Sequence, residues 1–437
     1  MIQRPKGTTD LYGSTLDKIK YVEDLVRIIM NDYRFEEVRT PLFESYDLFS
    51  RGVGTGTDIV SKEMYDFYDK GDRHIALRPE GTAPIVRAYI ENKWYGPEFP
   101  QPLKLYYISP MFRYERPQAG RSREFHQIGA EVFGNNSPIV DAETMALLID
   151  LLKEIGLKNL SLTLNSLGNH EDRVKYRKVL LDYLTPLKDK LSADSQRRFE
   201  ENPLRVLDSK DKADKEVVKN APRLLDVINE DSKERFNVVL NLLDRLHIPY
   251  TIDHCLVRGL DYYQETIFEV VSDSPAVGAN TTICGGGRYN SLVEELGGPK
   301  TSAFGFGLGI ERLILLIEAE NLTLDIDNSV DVYIVKADDS VGTFSFELAQ
   351  QIRKQGYSVN YAYEKKSVKS QFKQASKQNS ELVIVIGESE QATGKLTIKN
   401  MANGKEIEKD KDLIMSEFDS IFNQLTIDSS AIDEFFE

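Results

Sequence analysis

Hydrophobic and polar positions alternate most clearly between Leu105 and Gly134, LYYISPMFRYERPQAGRSREFHQIGAEVFG. Leu105–Arg113 is rich in Tyr, Ile and Phe, and Phe125–Phe133 alternates with a period of two, so the stretch predicts two β-strands. Arg116, Pro117, Gln118, Gly120, Arg121 and Arg123 join them as a mobile, basic connection. Successive strand side chains point to opposite faces, which places Phe125, Gln127, Gly129 and Glu131 together. Ile128, Ala130 and Val132 take the other face, the natural one for helices to cover. On the incoming strand, Arg113 and Glu115 also fall together. Paired as an antiparallel hairpin, the strands gather a ring, an arginine, two carboxylates and an amide around a residue without a side chain. Such a floor suits a small zwitterion beside a phosphate; an exposed polar sheet face is the plain alternative.

The remaining pattern extends this core on both sides. Leu16–Met30 carries Ile19, Val22, Leu25, Val26 and Ile29 at helical spacing. Tyr33–Phe43 reads as a strand closed by Pro41. Arg51–Phe67 is a glycine-rich loop, but it has neither a dinucleotide fingerprint nor the Gly-Lys-Ser/Thr of a P-loop. Ile75–Thr82 predicts a strand ending in a turn, with a helix from about Ala83. Glu80 and Thr82 suit the start of that helix as caps. A helix over Ser137–Ile155 and a strand over Leu160–Leu167 follow. From Gly168 to about Leu246 the texture turns charged and helical, an insertion between two halves of a sheet. Leu256–Ser272 then carries Arg258, Gly259, Tyr262 and Tyr263 ahead of an apolar strand. In Ile283–Tyr289, ICGGGRY, three glycines allow close backbone approach. Ser302–Leu316 is a glycine-punctuated strand turning into a helix. Arg312 falls near its first turn, where the helix dipole disfavours a cation, so it wants an anionic or aromatic partner.

A second α/β unit follows the linker Asn321–Ser329. Its strands are read at Val330–Val335, Tyr357–Tyr363, Glu381–Gly387 and Gly394–Asn400, with helices over Phe344–Lys354 and Lys366–Gln378. Lys365, Lys369, Lys373 and Lys377 recur every four residues, with Lys366 beside them, as a basic stripe. Asn423–Glu437 reads as an acidic, frayed tail.

Composition narrows the class without naming it. At 437 residues the chain has room for two or three domains. No apolar run is long enough to span a bilayer, and the first residues lack a signal-peptide core. Cys255 and Cys284 cannot build a disulfide framework and fit a reducing cytosol, so a cytoplasmic location is expected. The five histidines show no metal-ligand spacing, and no dedicated protein metal ligands are expected. A net charge of −15 argues against indiscriminate nucleic-acid binding but leaves room for a local basic track.

Six stretches together resemble one family. FRYE with its basic loop and REFHQIGAEVFG resembles motif 2 of the class II aminoacyl-tRNA synthetases in their histidyl form. YRFEEVRTPLFE resembles motif 1, GFGLGIERL resembles motif 3, and NPLRVLDSKD resembles the insertion of the histidyl enzymes. RGLDYY and ICGGGRY resemble their two histidine-specific elements. The resemblance implies an α+β catalytic domain over 1–325, its antiparallel sheet flanked by helices, with a helical insertion over 169–246. It also implies a C-terminal α/β anticodon-binding domain over 330–425 and leaves 426–437 as the acidic tail.

The same resemblance implies roles. Arg113 and Arg258 would be catalytic, Arg113 on the α-phosphate of ATP and Arg258 near both substrates. Phe125 and Arg312 would sandwich adenine, with Glu115 at its edge and Mg²⁺ bridging the polyphosphate. Glu80, Gly81, Thr82 and Gln127 would hold the ammonium of L-histidine. Glu131 and Tyr263 would meet its ring nitrogens, with Tyr262 and Tyr289 lining the pocket. Arg116, Arg121 and Arg123 would touch the acceptor end of histidine tRNA, and motif 1 implies a homodimer. A polar pocket of this kind needs no editing domain. A regulatory subunit of histidine biosynthesis and a different class II synthetase are the rival readings. RGLDYY, NPLRVLDSKD and the final α/β unit weigh against them.

Overall fold

The computed structural model describes residues 1–54, 57–274 and 281–427. The chain divides into two compact units, Met1–Leu324 and Asp325–Glu437. Among the described residues no helix is long and apolar enough to cross a membrane.

The first unit is built on a mixed sheet of eight strands: β1 (Glu36–Glu37), β2 (Leu103–Phe112), β3 (Glu124–Phe133), β4 (Leu160–Ser166), β5 (Tyr250–Ile252), β6 (Gln264–Ser272), β7 (Thr281–Arg288) and β8 (Ala303–Gly309). Their order is β1-β2-β3-β8-β7-β6-β4-β5. Every central pairing is antiparallel, and only the short edge strands β1 and β5 pair in parallel. The hairpin β2–β3 forms as its alternation predicts, with Tyr107 opposite Gly129 and Leu105 opposite Glu131.

One face of this sheet is covered by helices α1 (Ser14–Asp32), α3 (Pro138–Glu154), α5 (Glu230–Arg245) and α6 (Ile310–Ala319). Ile128, Ala130 and Val132 meet Val22, Leu148, Phe236 and Leu313 in that core. Leu25, expected inside, is only partly buried. The opposite face is covered at one end by α2 (Thr82–Glu91) and at the other by α4 (His170–Leu184) and the short turns after it. Tyr107, Phe133, Tyr176, Leu204, Tyr262 and Tyr289 share this second core. The helices of the 169–246 stretch thus divide their apolar surface between the two faces of the sheet. Asp172 closes a capping box with Asn169 and also accepts from Asn229 and Ser232, tying the start of α4 to the start of α5.

Two elements before the hairpin differ from expectation. Tyr33–Phe43 is not a continuous strand: β1 has two residues, and Phe43–Ser45 joins a separate small sheet with Tyr65–Tyr68 and His74–Leu77. Pro41, which offers no backbone donor, lies between the two pairings. The glycine-rich stretch is not an open loop over its described residues. It winds into π-helical turns at Ser50–Gly54 and Ile59–Glu63, and Phe49, Val53 and Val60 pack beneath it.

The second unit has a sheet of β9 (Val332–Lys336), β10 (Val359–Tyr361), β11 (Leu382–Ile386), β12 (Lys395–Asn400) and β13 (Glu406–Asp410), in the order β10-β9-β11-β12-β13. The first three are parallel, joined through α7 (Gly342–Lys354) and α8 (Val368–Lys377). Strand β13 and the last helix, α9 (Phe418–Thr426), were not anticipated. In particular, Asn423–Thr426 is not a frayed tail but the end of α9, which buries Phe418, Ile421 and Leu425 against this sheet. The rest of the expected tail, from 428 on, lies outside the described residues.

Candidate active site

The sheet face opposite α1, α3 and α6 is hollowed by glycines. Gly129 on β3 faces Gly307 on β8, which faces Gly285 on β7, so three neighbouring strands lack a side chain in one row. The row is occupied by its neighbours. A Cβ on Gly129 would strike the Tyr107 ring at 2.2 Å, and one on Gly285 would strike the Arg258 guanidinium at 2.2 Å. A Cβ on Gly307 would meet the Gln127 amide at 2.3 Å. The glycines thus mark where larger polar side chains lie flat on the sheet.

At one end of this floor sits Glu131, 0% exposed. Thr82 donates its hydroxyl to one carboxylate oxygen at 2.7 Å, and Tyr289 donates to the other. Burial pushes the Glu131 carboxyl up to about 8, against the pull of those two hydroxyls. Glu80 is buried nearby and caps α2 by accepting from the backbone N–H of Thr82 and Ala83, each at 2.8 Å. Its carboxyl is also pushed up by burial, with the two backbone donors opposing. Gly81 lies under the Tyr107 ring, where a Cβ would come within 2.3 Å. Tyr262, Tyr263 and Tyr289 complete this end, with ring centroids 4.6 and 5.6 Å apart along the series 263–262–289.

The other end is an open cleft lined by Arg113, Glu115, Phe125, Gln127, Arg258 and Arg312, among others. The Arg113 guanidinium lies 5.2 Å from the Phe125 ring centroid and donates to the Pro79 carbonyl at 2.8 Å. Arg113 and Glu115 do come together, at 3.8 Å, but not on the strand. β2 ends at Phe112, where the backbone leaves the sheet to bond with Arg123 and Glu63. Arg258 projects from the loop before β6, pairs with Glu269 and lies 5.5 Å from the Tyr263 ring centroid. Its Nε is buried and has no hydrogen-bond partner among the described residues. Thr282 fixes the other Glu269 oxygen at 2.8 Å. Arg312 falls in the first turn of α6 as expected, and it donates to the Thr282 carbonyl.

The basic loop is divided. Arg116 and Arg121 are both exposed, and Arg121 also reaches Glu115 at 3.3 Å. Arg123 stacks on Tyr114 at 3.8 Å. Sequence reasoning passed over Tyr107 and Glu269. Tyr107 was legible only through its cross-strand partner Gly129, and Glu269 only as a carboxylate flanked by the apolar residues Ile267, Phe268, Val270 and Val271 of β6.

An antiparallel sheet with a glycine floor, bounded by arginines on one side and a buried carboxylate on the other, agrees with the resemblance to the class II aminoacyl-tRNA synthetases. The sequence profile of histidyl-tRNA synthetase matches residues 7–313, and that of an anticodon binding domain matches residues 330–421. A histidine–tRNA ligase of Streptococcus mutans is 53% identical over 427 residues, 98% of this chain and 99% of its own. One from Streptococcus pneumoniae is 52% identical over 424 residues, 97% and 98% of the two chains. The crystal structure of apo histidyl-tRNA synthetase from S. aureus superposes with a TM-score of 0.82 at 40% identity, covering 96% of this chain and all of that one. The chain belongs to the histidyl-tRNA synthetase family.

Proposed function

We propose that the chain joins L-histidine to the 3′ end of histidine tRNA in two steps. The histidine carboxylate attacks the α-phosphorus of ATP, forming a P–O bond to the amino acid as pyrophosphate leaves. A terminal ribose hydroxyl of the tRNA then attacks the histidyl carbonyl and AMP departs. The observation that carries this reading is the buried Glu131, held by Thr82 and Tyr289 at the closed end of a glycine floor.

The first step needs no general base, because its nucleophile is already ionised. It needs alignment and neutralisation of the charge that grows on the phosphate. Arg113 and Arg258 converge on the cleft and offer forked donors for it. Glu269 holds Arg258 in place, and the orphaned Arg258 Nε is a donor still open to an anion. Phe125 and Arg312 line the same cleft, and they offer a ring and a cation to an adenine.

Histidine fits the closed end by polar matching. Its ring N–H would donate to Glu131, and its ammonium would lie by Glu80 and Gln127. An analogue lacking the ring nitrogens leaves the buried Glu131 carboxyl short of a partner, at a cost of about 1–3 kcal/mol. Sites of this type reject such analogues by roughly 10⁴-fold without editing.

Mg²⁺ would enter with ATP and supply charge neutralisation on its phosphates. Among the described residues no cluster of three or more His, Cys, Asp or Glu could hold a metal ion. Glu115, Glu269 and Glu311 near the cleft already engage Arg121, Arg258 and His126. That donor set suits an ion carried on the nucleotide rather than one caged by protein.

The reading includes a homodimer and a cytoplasmic location. Exposed Leu42, Phe43, Phe67 and Tyr68 offer apolar surface for a second copy to cover. Free Cys255 and Cys284 fit a reducing compartment. Exposed Arg116 and the exposed lysines 365, 366, 369, 373 and 377 are the cations we assign to tRNA contact. The test is ATP–pyrophosphate exchange with each of the twenty amino acids, with and without tRNA. Exchange with histidine alone is expected; no exchange with any amino acid by folded protein would overturn the reading in favour of a binding protein.

A further inference from the structure

Between the Arg258 that faces the cleft and the Tyr262–Tyr263 pair that walls the closed end stands Asp261, a residue with no place in the chemistry above. Its side chain meets two separate parts of the chain. Oδ1 accepts from the Asn202 side-chain amide at 3.0 Å, and Asn202 belongs to the NPLR turn of the inserted segment. Oδ2 lies against the backbone at Gly54, where a Cβ would come within 2.6 Å. Gly54 has φ +102°, a conformation that glycine adopts freely and other residues resist.

The backbone around Asp261 is held as firmly. The Asp261 N–H donates to the Val53 carbonyl at 3.4 Å. Arg173 of α4, itself half-buried, donates to the carbonyls of Asp261 and Tyr263 at 3.1 and 3.0 Å. A single guanidinium thus spans the two ends of the Asp-Tyr-Tyr run. Arg205 of the same NPLR turn reaches Gly259, with Nη1 3.7 Å from where a Cβ would sit. Burial pushes the Asp261 carboxyl up from its ordinary range, while Arg173 and Arg205 pull it down.

From Asp261 the contacts run inward. Tyr262 packs on Tyr289, Tyr289 donates to Glu131, and Glu131 receives Thr82. They also run outward to the turn Ser50–Gly54, through the Asp261 N–H on Val53 and Oδ2 at Gly54.

We infer that Asp261 is a positioning residue that fastens the tyrosine wall of the amino-acid pocket to the inserted helical segment and to the turn Ser50–Gly54. It acts on histidine through Tyr262 and Tyr263, without touching the substrate. The inference rests on the functional reading above and adds a specific coupling to it. Occupation or displacement of the insertion is then felt in the amino-acid pocket through the Asn202–Asp261 bond.

The test is pyrophosphate exchange by the full chain, with KM measured separately for histidine and for ATP, on Asp261→Ala, Asp261→Asn, Asn202→Ala and the double alanine variant. Asp261→Ala should raise the histidine KM about tenfold and leave the ATP KM within about twofold. Asp261→Asn, whose amide oxygen can still accept from Asn202, should recover most of the loss. Asn202→Ala should raise the histidine KM about threefold, and the double variant should be no worse than Asp261→Ala alone. Equal losses for both substrates, multiplicative effects of the two substitutions, or an unchanged histidine KM would each overturn the coupling. If Asp261→Ala does not fold, Asn202→Ala decides alone: a selective rise in histidine KM supports the coupling and none overturns it. Failure of the wild-type chain to exchange with histidine would instead overturn the functional reading itself.

Discussion

Glu131 and Gly305 stand opposite one another on β3 and β8, and a Cβ at Gly305 would come within 1.8 Å of the Glu131 carboxylate. The carboxylate cannot swing clear without giving up Thr82 and Tyr289. It therefore occupies space that any other residue at 305 would claim.

Gly305→Ala is accordingly expected to lower kcat/KM for histidine in pyrophosphate exchange by about 100-fold, from loss of a matched buried polar site. Gly307→Ala meets the movable amide of Gln127 rather than a doubly held carboxylate, and should cost less. Equal losses in the two variants would count against Glu131 as the pinned group.

Glu131 also sets a pH dependence of stability. Its carboxyl titrates near 4.5 when free and is raised to about 8 in the fold, so between those values the folded chain holds a proton that the unfolded chain has released. Stability from this group is full below about pH 4.5 and is lost as pH rises through about 8. Thermal unfolding across pH 5 to 9 should show Glu131→Gln declining less steeply with pH than the wild type. Parallel curves would argue against a raised carboxyl.

Arg258 depends on Glu269 for its aim. Glu269→Gln should lower kcat for exchange by roughly 10²-fold while the protein keeps its fold, as loss of one preorganised donor does. Arg258→Lys should not restore the activity lost in Arg258→Ala, because an ammonium lacks the planar fork. Circular dichroism alongside steady-state kinetics separates misfolding from misaiming.

Asp141 on α3 and Arg288 on β7 are both 0% exposed and paired, and Arg235 on α5 joins them at 3.1 Å. Asp141→Ala takes the shared carboxylate from the buried Arg288 and the half-buried Arg235. It should destabilise the first unit by about 3–5 kcal/mol in urea unfolding. Asp141→Ala combined with Arg288→Met should recover part of that loss, since a buried unpaired charge costs more than an apolar replacement.

Much of this arrangement is legible in the sequence, for physical reasons that differ by element. The β2–β3 hairpin could be read because its alternation has a period of two, and the same count placed Gln127, Gly129 and Glu131 on one face. The clustering of Tyr107, Gly81 and Gly129 could not, because it depends on a cross-strand register and on the turn before α2. Glu269 gave no local sign of pairing with Arg258, since the loop between them brings the two back together only in the fold. α9 was hidden by the acidic residues after it, although Phe418, Ile421 and Leu425 repeat at helical spacing. β1 was overestimated because Val38 and Pro41 look like strand continuation, whereas only Glu36 and Glu37 pair with β2.

The row Gly129–Gly307–Gly285 bears on how such a pocket could be altered. The main chain of that row lies beneath Tyr107, Gln127 and Arg258, so trimming those side chains can deepen the floor no further than the backbone. Enlargement must come from side chains around it, such as Tyr107, Gln127, Thr82, the tyrosine wall or Glu131 itself. A redesign toward another amino acid therefore begins by surrendering the groups we propose for histidine recognition, which makes intermediate, dual-specificity forms of this site hard to reach by single substitutions.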